Sequence, residues 1–231
     1  MTETTSDFIE KLMQIEETEE NEEQIRELIC CVLAENRDEK IKKQCLRKLR
    51  ALENEKCVSR TSCEYSYFDL SELLRSVCLC SDLLLGQSGK RLYCELEPIS
   101  LAACPDLIAD GFLNLISNAA KFGGDGVIEV ALREIGKQAV ISVRNRGHFD
   151  FQKTPFKRGI AAAANSAKLH SGTLFFGSSD TIVTAAMSVS LFLRPTVKTR
   201  IPLFTDLLSD EFSAVHIGLS DAEENSETEF V

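Results

Sequence analysis

The sequence predicts an α+β protein: a two-layer α/β sandwich, in which helices cover a mixed sheet, preceded by an N-terminal helical hairpin. Two patterns support this prediction. Apolar residues recur every three or four positions between residues 22 and 54, which is the periodicity of amphipathic helices. From residue 68 onward, helical segments are interspersed with segments in which apolar and polar residues alternate, as they do in strands with one buried face.

The predicted hairpin occupies residues 1–56. Segments 6–20 and 22–54 are expected to be helical, with a break near Asn36-Arg37-Asp38 that leaves Asp38 to cap the following helix. The simplest interpretation is a pair of antiparallel helices, an acidic one followed by a basic one, whose solvated faces attract each other. Because one helix pair makes a small core, we expect these N-terminal helices to form a homodimer, a four-helix bundle.

The sandwich is predicted over residues 68–195, after a linker over 57–67 that has few apolar residues. Its first helix is expected to begin at a cap supplied by Asp69 or Ser71 and to end at Gly86 or Gly89. The elements predicted next are a strand over 91–98, a helix over 105–122 with Pro in its first turn, paired strands over 126–134 and 138–146, a helix over 160–171, and strands over 173–177 and 186–194.

The C-terminal extension, residues 196–231, is partly apolar as far as Ile217. A strand is predicted over 213–219, and the acidic end that follows is predicted to be disordered.

Charge is distributed unevenly along the chain, whose 26 basic and 36 acidic residues give a formal net charge of −10. The acidic excess lies in the hairpin and in the C-terminal tail, so the middle of the chain is mildly basic. A nucleotide suits that middle region better than a nucleic acid does, since no dense Lys/Arg patch with interleaved aromatic residues is present. The sequence has neither a signal peptide nor an apolar segment of membrane-spanning length, and we therefore expect a cytoplasmic protein without a membrane partner.

Nine cysteines are present, all within the first 104 residues. They form no Cys-x-x-Cys pair, and no histidine precedes residue 148 to complete a zinc site. Several, such as Cys45, occupy apolar positions of predicted helices. We expect reduced structural thiols, with a redox or metal-binding role as the alternative.

The helix over residues 105–122 contains the candidate binding residues. Asn114 and Asn118 are four residues apart and therefore share one helix face, with Lys121 three residues further along it. Two amides and an ammonium group on one face can hold a metal ion together with the phosphate oxygens that it neutralises. The alternative is an ordinary solvated polar face.

The segment NLISNAAKF, residues 114–122, resembles the N box of the histidine-kinase-type ATPases, the GHKL or Bergerat fold shared by sensor histidine kinases and gyrase. The order of predicted elements from Phe68 to Pro195 is similar to that of their ATP-binding domain. The resemblance implies ATP and Mg²⁺ as cofactors. It also implies that Asn114 belongs to the nucleotide site, that Asn118 coordinates the Mg²⁺ bridging the phosphates, and that Lys121 reaches a phosphate.

The other family motifs are present with substitutions. Asn145 stands at the position of the adenine-binding Asp, Gly147 at the first Gly of that motif, and Phe149 at its second Gly. The lid is reduced to about Asp150–Arg158, and the second Gly motif reads Gly159-Ile-Ala161. Thr184 matches the Thr that supports the adenine-binding carboxylate, and His170 matches a structural position. Because an Asn lacks the charge of an Asp and Ala161 obstructs close backbone approach, we expect weak or absent ATP binding.

The predicted hairpin lacks the phosphoacceptor histidine of sensor kinases, since the only histidines are His148, His170 and His216. Self-phosphorylation on a hairpin histidine is therefore impossible in this chain. The resemblance implies an ATP-binding protein of two-component signal transduction, similar to a sensor histidine kinase, with weak or lost kinase activity. The alternatives are a non-catalytic, pseudokinase-like adaptor that binds a kinase, a response regulator or a sigma-like factor, and a decayed copy without function.

Overall fold

The computed structural model describes residues 5–35, 38–124, 126–147, 158–179, 181–196, 207 and 213–220. Within them, a five-stranded mixed sheet carries helices on one face, which confirms the predicted α+β sandwich. The helices are α1 (Thr5–Gln14), α2 (Glu22–Glu35), α3 (Glu39–Ser59), α4 (Leu70–Gly86), α5 (Pro105–Phe122), α6 (Arg158–Leu169) and α7 (Ala214–Leu219), with a 3₁₀ turn over Glu19–Asn21. The strands are β1 (Ser66–Asp69), β2 (Arg91–Leu96), β3 (Ser100–Ala103), β4 (Val127–Ile135), β5 (Gln138–Arg146), β6 (Leu174–Ser178) and β7 (Ile182–Ser190).

The main sheet has the strand order β2-β4-β5-β7-β6. Strand β2 runs parallel to β4, and the remaining pairs are antiparallel. A two-residue turn joins β4 to β5, and Gly136 in this turn has a φ of 63°, a left-handed conformation that glycine adopts without strain. Helices α4, α5 and α6 cover one face, where fully buried side chains such as Leu74, Phe112 and Ile116 pack on Val130 and Ile141 of the strands.

The three N-terminal helices form a second core that packs on the sandwich. Apolar side chains of all three, including Leu12, Ile25 and Leu49, are buried together. The predicted two-helix hairpin is therefore only part of this unit, because α1 packs on α2 as well. Helix α3 contacts α6 and α7, so the unit lies directly against the sandwich. The homodimer was predicted because one helix pair would leave apolar surface exposed, and these contacts bury much of that surface within one chain. The homodimer itself stays a prediction.

Three local predictions are corrected. Helix α1 ends at Gln14 rather than near residue 20, and the chain beyond it bends so that Ile15 O and the Glu17 carboxylate both contact the buried Lys48 ammonium. The predicted linker is shorter than 57–67: α3 continues to Ser59 because Cys57 is buried against α6, and β1 begins at Ser66.

Three short elements were not predicted correctly. Strands β1 and β3, of four residues each, form a separate antiparallel pair that has no periodic signature in the sequence. The predicted strand over 213–219 is the helix α7, which packs against α4 and α5 rather than at a sheet edge and so makes its backbone hydrogen bonds internally. The predicted acidic tail, Phe149 and most of the predicted lid lie outside the described residues.

The cysteines match the prediction of reduced structural thiols. All nine are free, and Cys45, Cys57, Cys78, Cys80 and Cys104 are buried. Burial raises the pKa of the Cys45 thiol to about 11, which keeps it protonated. Among the described residues, no group of three or more His, Cys, Asp or Glu side chains is placed to hold a metal ion. None of the helices in the described part of the chain combines the length and the apolar character needed to cross a bilayer.

His170 is a buried structural residue, as expected. Its Nε2 accepts a hydrogen bond from the backbone N–H of Cys104 at 3.0 Å, and its Nδ1 lies 2.7 Å from Ser166 O, which places the single proton on Nδ1. Burial lowers the pKa of His170 below its ordinary value. The neutral ring therefore joins the start of α5 to the end of α6.

We expect folding stability to depend on pH through His170. Below its ordinary pKa of about 6.5 the unfolded chain binds a proton that the folded chain does not, so the free energy of unfolding falls as pH decreases below this value. Urea unfolding of wild type and His170→Gln between pH 5 and pH 8 measures the effect. The variant is expected to be less stable at pH 8, with a stability difference that narrows toward pH 5. A difference independent of pH would contradict this assignment.

Candidate functional site

The candidate site is built around α5, whose ends are well defined. Pro105 occupies the first turn, where its missing N–H costs no hydrogen bond. The helix ends at Gly123, whose N–H bonds to Ala119 O at 2.8 Å. The Lys90 ammonium donates to the carbonyls of Gly123 and Gly124 at 3.1 and 2.8 Å, and so places a cation at the negative end of the helix.

Asn118 lies at a small cavity between α5 and the sheet. Most of the lining is apolar and comes from α5, β5, β6, β7 and α6; it includes Leu115, Phe122, Ile160, Phe176 and Val183. The side-chain nitrogen of Asn118 is enclosed there and has no hydrogen-bond partner among the described residues. A buried unpaired donor of this kind is unusual and marks a place where a polar ligand or water could be accepted.

Asn145 lines the same cavity from β5. It is 8% exposed, and its amide nitrogen donates to Arg146 O at 3.0 Å. Its side-chain carbonyl oxygen is the only side-chain acceptor it can offer a ligand, without the charge that the family's Asp supplies. The structure thus brings Asn118 and Asn145 to one site, as the motif predicts.

Asn114 faces a different way from the one predicted. It is 5% exposed, and its amide is held by the N-terminal unit: Oδ1 accepts from Arg50 at 3.2 Å, and Nδ2 donates to Asn54 Oδ1 at 2.7 Å and to Asp110 O at 3.0 Å. Asn114 does not line the cavity of Asn118. In this arrangement its hydrogen bonds join α3 to α5, and it is not available to a nucleotide.

At Gly159 and Gly147, close packing leaves too little space for a Cβ atom. Gly159 lies in the first turn of α6, where a Cβ atom would come within 2.5 Å of Asn114 Oδ1. A Cβ atom on Gly147 would lie 2.8 Å from Phe122 O, at the end of α5. Both glycines allow close backbone approach, but the neighbour that approaches is another part of this chain.

Neither Lys121 nor Thr184 lines the cavity that Asn118 and Asn145 share. Lys121 is half-buried in the last turn of α5 and does not line the cavity. Thr184 pairs with Arg144, whereas Asn145 pairs with Val183. Because side chains alternate between the faces of a strand, Thr184 lies on the outer face and Asn145 on the inner one. The prediction that Thr184 supports Asn145 is therefore wrong.

The cavity is small in this structure, with a volume of about 30 Å³. Pockets for ligands larger than a fragment are usually about 300–1,000 Å³. Asn118 offers one oxygen donor to a Mg²⁺ ion. Asn145 stands where the resemblance implies a carboxylate, and Asn114 is hydrogen-bonded to α3.

Arg50 and Asn54 of α3 are the residues that the sequence reasoning missed. Both are buried, at 6% and 9% exposure, although their side chains are polar. A signal existed: Leu46, Arg50, Asn54 and Cys57 recur at helical spacing and form a second stripe beside the apolar one. Polar side chains in such a stripe indicate a helix that is buried on two sides.

The fold is that of the catalytic, ATP-binding domains of histidine kinases. The histidine kinase AdeS of Acinetobacter baumannii aligns with 82% of this chain and 96% of its own, with a TM-score of 0.59 and 16% sequence identity. A nucleotide-free catalytic domain of the histidine kinase ThkA aligns over 56% of this chain and 97% of its own, with a TM-score of 0.52 and 19% identity. Full-length ShkA in complex with AMPPNP aligns over 83% of this chain and 45% of its own, with a TM-score of 0.57 and 15% identity.

These identities are low, so the likeness is one of fold. No family model matches the sequence, and no curated protein matches it either.

The two asparagines of the motif are expected to differ in their effect on stability. Asn114→Ala leaves the buried side chains of Arg50 and Asn54 without this partner, which costs about 1–3 kcal/mol of unfolding free energy. Asn118→Ala removes an amide whose nitrogen is already unpaired, so a change of less than about 1 kcal/mol is expected. Urea unfolding monitored by circular dichroism compares the two variants. Equal losses would contradict the different roles assigned to these side chains.

Proposed function

We propose that this chain is a kinase-like signalling protein of two-component signal transduction whose nucleotide site is degenerate. It acts by binding a protein partner, a response regulator or a kinase, rather than by transferring phosphate. The observation that carries the proposal is the candidate site itself: its cavity has a volume of only about 30 Å³, and Asn114 is hydrogen-bonded to the N-terminal helices.

The sequence supports the same proposal. Phosphoryl transfer depends on positioning the phosphates and on metal ions that neutralise their charge. Here Asn145 replaces a carboxylate, Ala161 replaces a glycine, and no histidine lies in α1, α2 or α3 to accept a phosphate. These losses affect adenine binding, phosphate binding and phosphate acceptance separately.

One observation favours a second candidate function, weak binding of ATP and Mg²⁺ without efficient phosphoryl transfer. The amide nitrogen of Asn118 is enclosed and unpaired within the described part of the chain, and a bound phosphate would supply the missing acceptor. Lys121 lies three residues further along the same helix. Under this candidate, the cavity opens when nucleotide binds.

A titration with a fluorescent ATP analogue in the presence of Mg²⁺ separates the two candidates. The degenerate site is expected to give no saturable binding below about 100 µM, because the charged adenine contact and the space for the nucleotide are both missing. A dissociation constant in the low micromolar range, lost in Asn118→Ala, would contradict the proposal. The matched control is Asn145→Asp combined with Ala161→Gly, which restores the family residues and is expected to bind the analogue more tightly than wild type.

The adaptor role is tested with a partner protein. We expect a response regulator or kinase that binds the chain to do so with the same affinity in the presence and absence of ATP and Mg²⁺, as measured by calorimetry. With ATP radiolabelled on the γ-phosphate, no label is expected on the partner. Transfer of label that depends on Asn118 would establish the enzyme and exclude the adaptor.

A further inference from the structure

A second and larger cavity lies on the other side of α5, between that helix, α3 and α7. Its volume is about 450 Å³, within the range of about 300–1,000 Å³ that is usual for small-molecule sites. It is separate from the cavity of Asn118: Asn114 lines this one, and Asn118 lines the other. No motif discussed above accounts for it.

The walls of this cavity, which we call the α3–α5 cavity, differ in character. Leu107, Leu113 and Ile217 give it apolar surface from α5 and α7. Charged side chains also line it, among them Glu53 and Lys56 of α3 and Asp110 of α5. An apolar surface facing a few converging polar groups is the usual composition of a ligand site.

Two of the four cations that line the cavity, Arg26 and Lys56, are paired with carboxylates. Arg26 forms ion pairs with Glu53 at 2.7 Å and Glu22 at 3.0 Å, and the Lys56 ammonium lies 2.6 Å from Glu22. Arg50 donates to Asn114. These side chains are held by their own partners in the wall, which reduces their capacity to attract a further anion.

Asp110 differs from these paired side chains. It is partly buried in the middle of α5, and among the described residues no donor forms a hydrogen bond with its carboxylate. Burial, together with the charges of Glu53 and Asp106, raises the pKa of Asp110 to about 7, and the nearby Arg60 and Lys56 offset this only in part. Within the described part of the chain, this carboxylate therefore faces the cavity without a hydrogen-bond donor, and burial is the main factor that opposes its ionisation.

We propose that the α3–α5 cavity binds a small organic cation, with an ammonium or amidinium group on Asp110 and an apolar body against Leu107, Leu113 and Ile217. The cation would supply the hydrogen-bond donor that the Asp110 carboxylate lacks among the described residues, with a positive charge in direct contact with it. The proposal does not rest on the proposed function, because it concerns a different cavity and different residues.

Benzamidine is a suitable probe, and benzamide is its uncharged counterpart of nearly the same shape. By calorimetry with the full chain at pH 8, we expect benzamidine to bind with a dissociation constant of about 1 mM or tighter, which is reasonable for a ligand of this size. Benzamide is expected to bind at least tenfold more weakly. Asp110→Asn, which keeps the shape of the side chain, is expected to weaken benzamidine binding by a similar factor.

The control variant is Glu129→Gln, which removes a carboxylate from the exposed pair with Arg144, far from the cavity, and is expected to leave binding unchanged. Thermal unfolding shows whether each variant is folded. Binding to wild type is also expected to tighten as pH rises from 6 to 8. Over this range Asp110 ionises, and the charged groups that line the cavity with it are Glu53, Asp106, Arg26, Arg50, Lys56 and Arg60. Absence of saturable binding by 10 mM, equal binding of benzamide, or full binding by Asp110→Asn would each overturn the proposal.

Discussion

The burial of helix α5 is the constraint on which the rest of the structure depends. Thirteen of its 18 residues are buried, because α5 packs on the sheet and also against α4, α6 and α7. A helix in this position cannot leave its polar side chains unpaired without a cost in stability. The hydrogen bonds that Asn114 makes to Arg50 and Asn54 meet this requirement, and they also determine where α3 lies.

Because α5 is buried on two sides, the two asparagines of one sequence motif line two different cavities. Asn114 and Asn118 are one helical turn apart, which favours a shared binding face. In this chain, α3 covers the first asparagine and leaves the second facing the sheet.

Features that depend on neighbouring residues were predicted from the sequence, whereas features that depend on contacts between distant segments were not. The bounds of α5, the β4–β5 hairpin and the cap at Asp69 depend on neighbouring residues, and the sequence predicts them well. The two short strands β1 and β3 were missed because each is stabilised by pairing with the other, more than 30 residues away. Thr184 was assigned to the site by its position in a motif, and the strand register places it on the opposite face.

By itself, the sequence determined the fold class, the sandwich with its preceding helices, the burial of thiols such as Cys45, and the absence of histidine from α1, α2 and α3. These features depend on residue type and local periodicity, which can be identified directly in the amino-acid sequence. Tertiary structure alone decided that Asn114 binds α3, that the site of Asn118 is reduced to about 30 Å³, and that a cavity of about 450 Å³ opens around Asp110. Cavities and pKa shifts arise from atoms that distant segments bring together, so no local pattern encodes them.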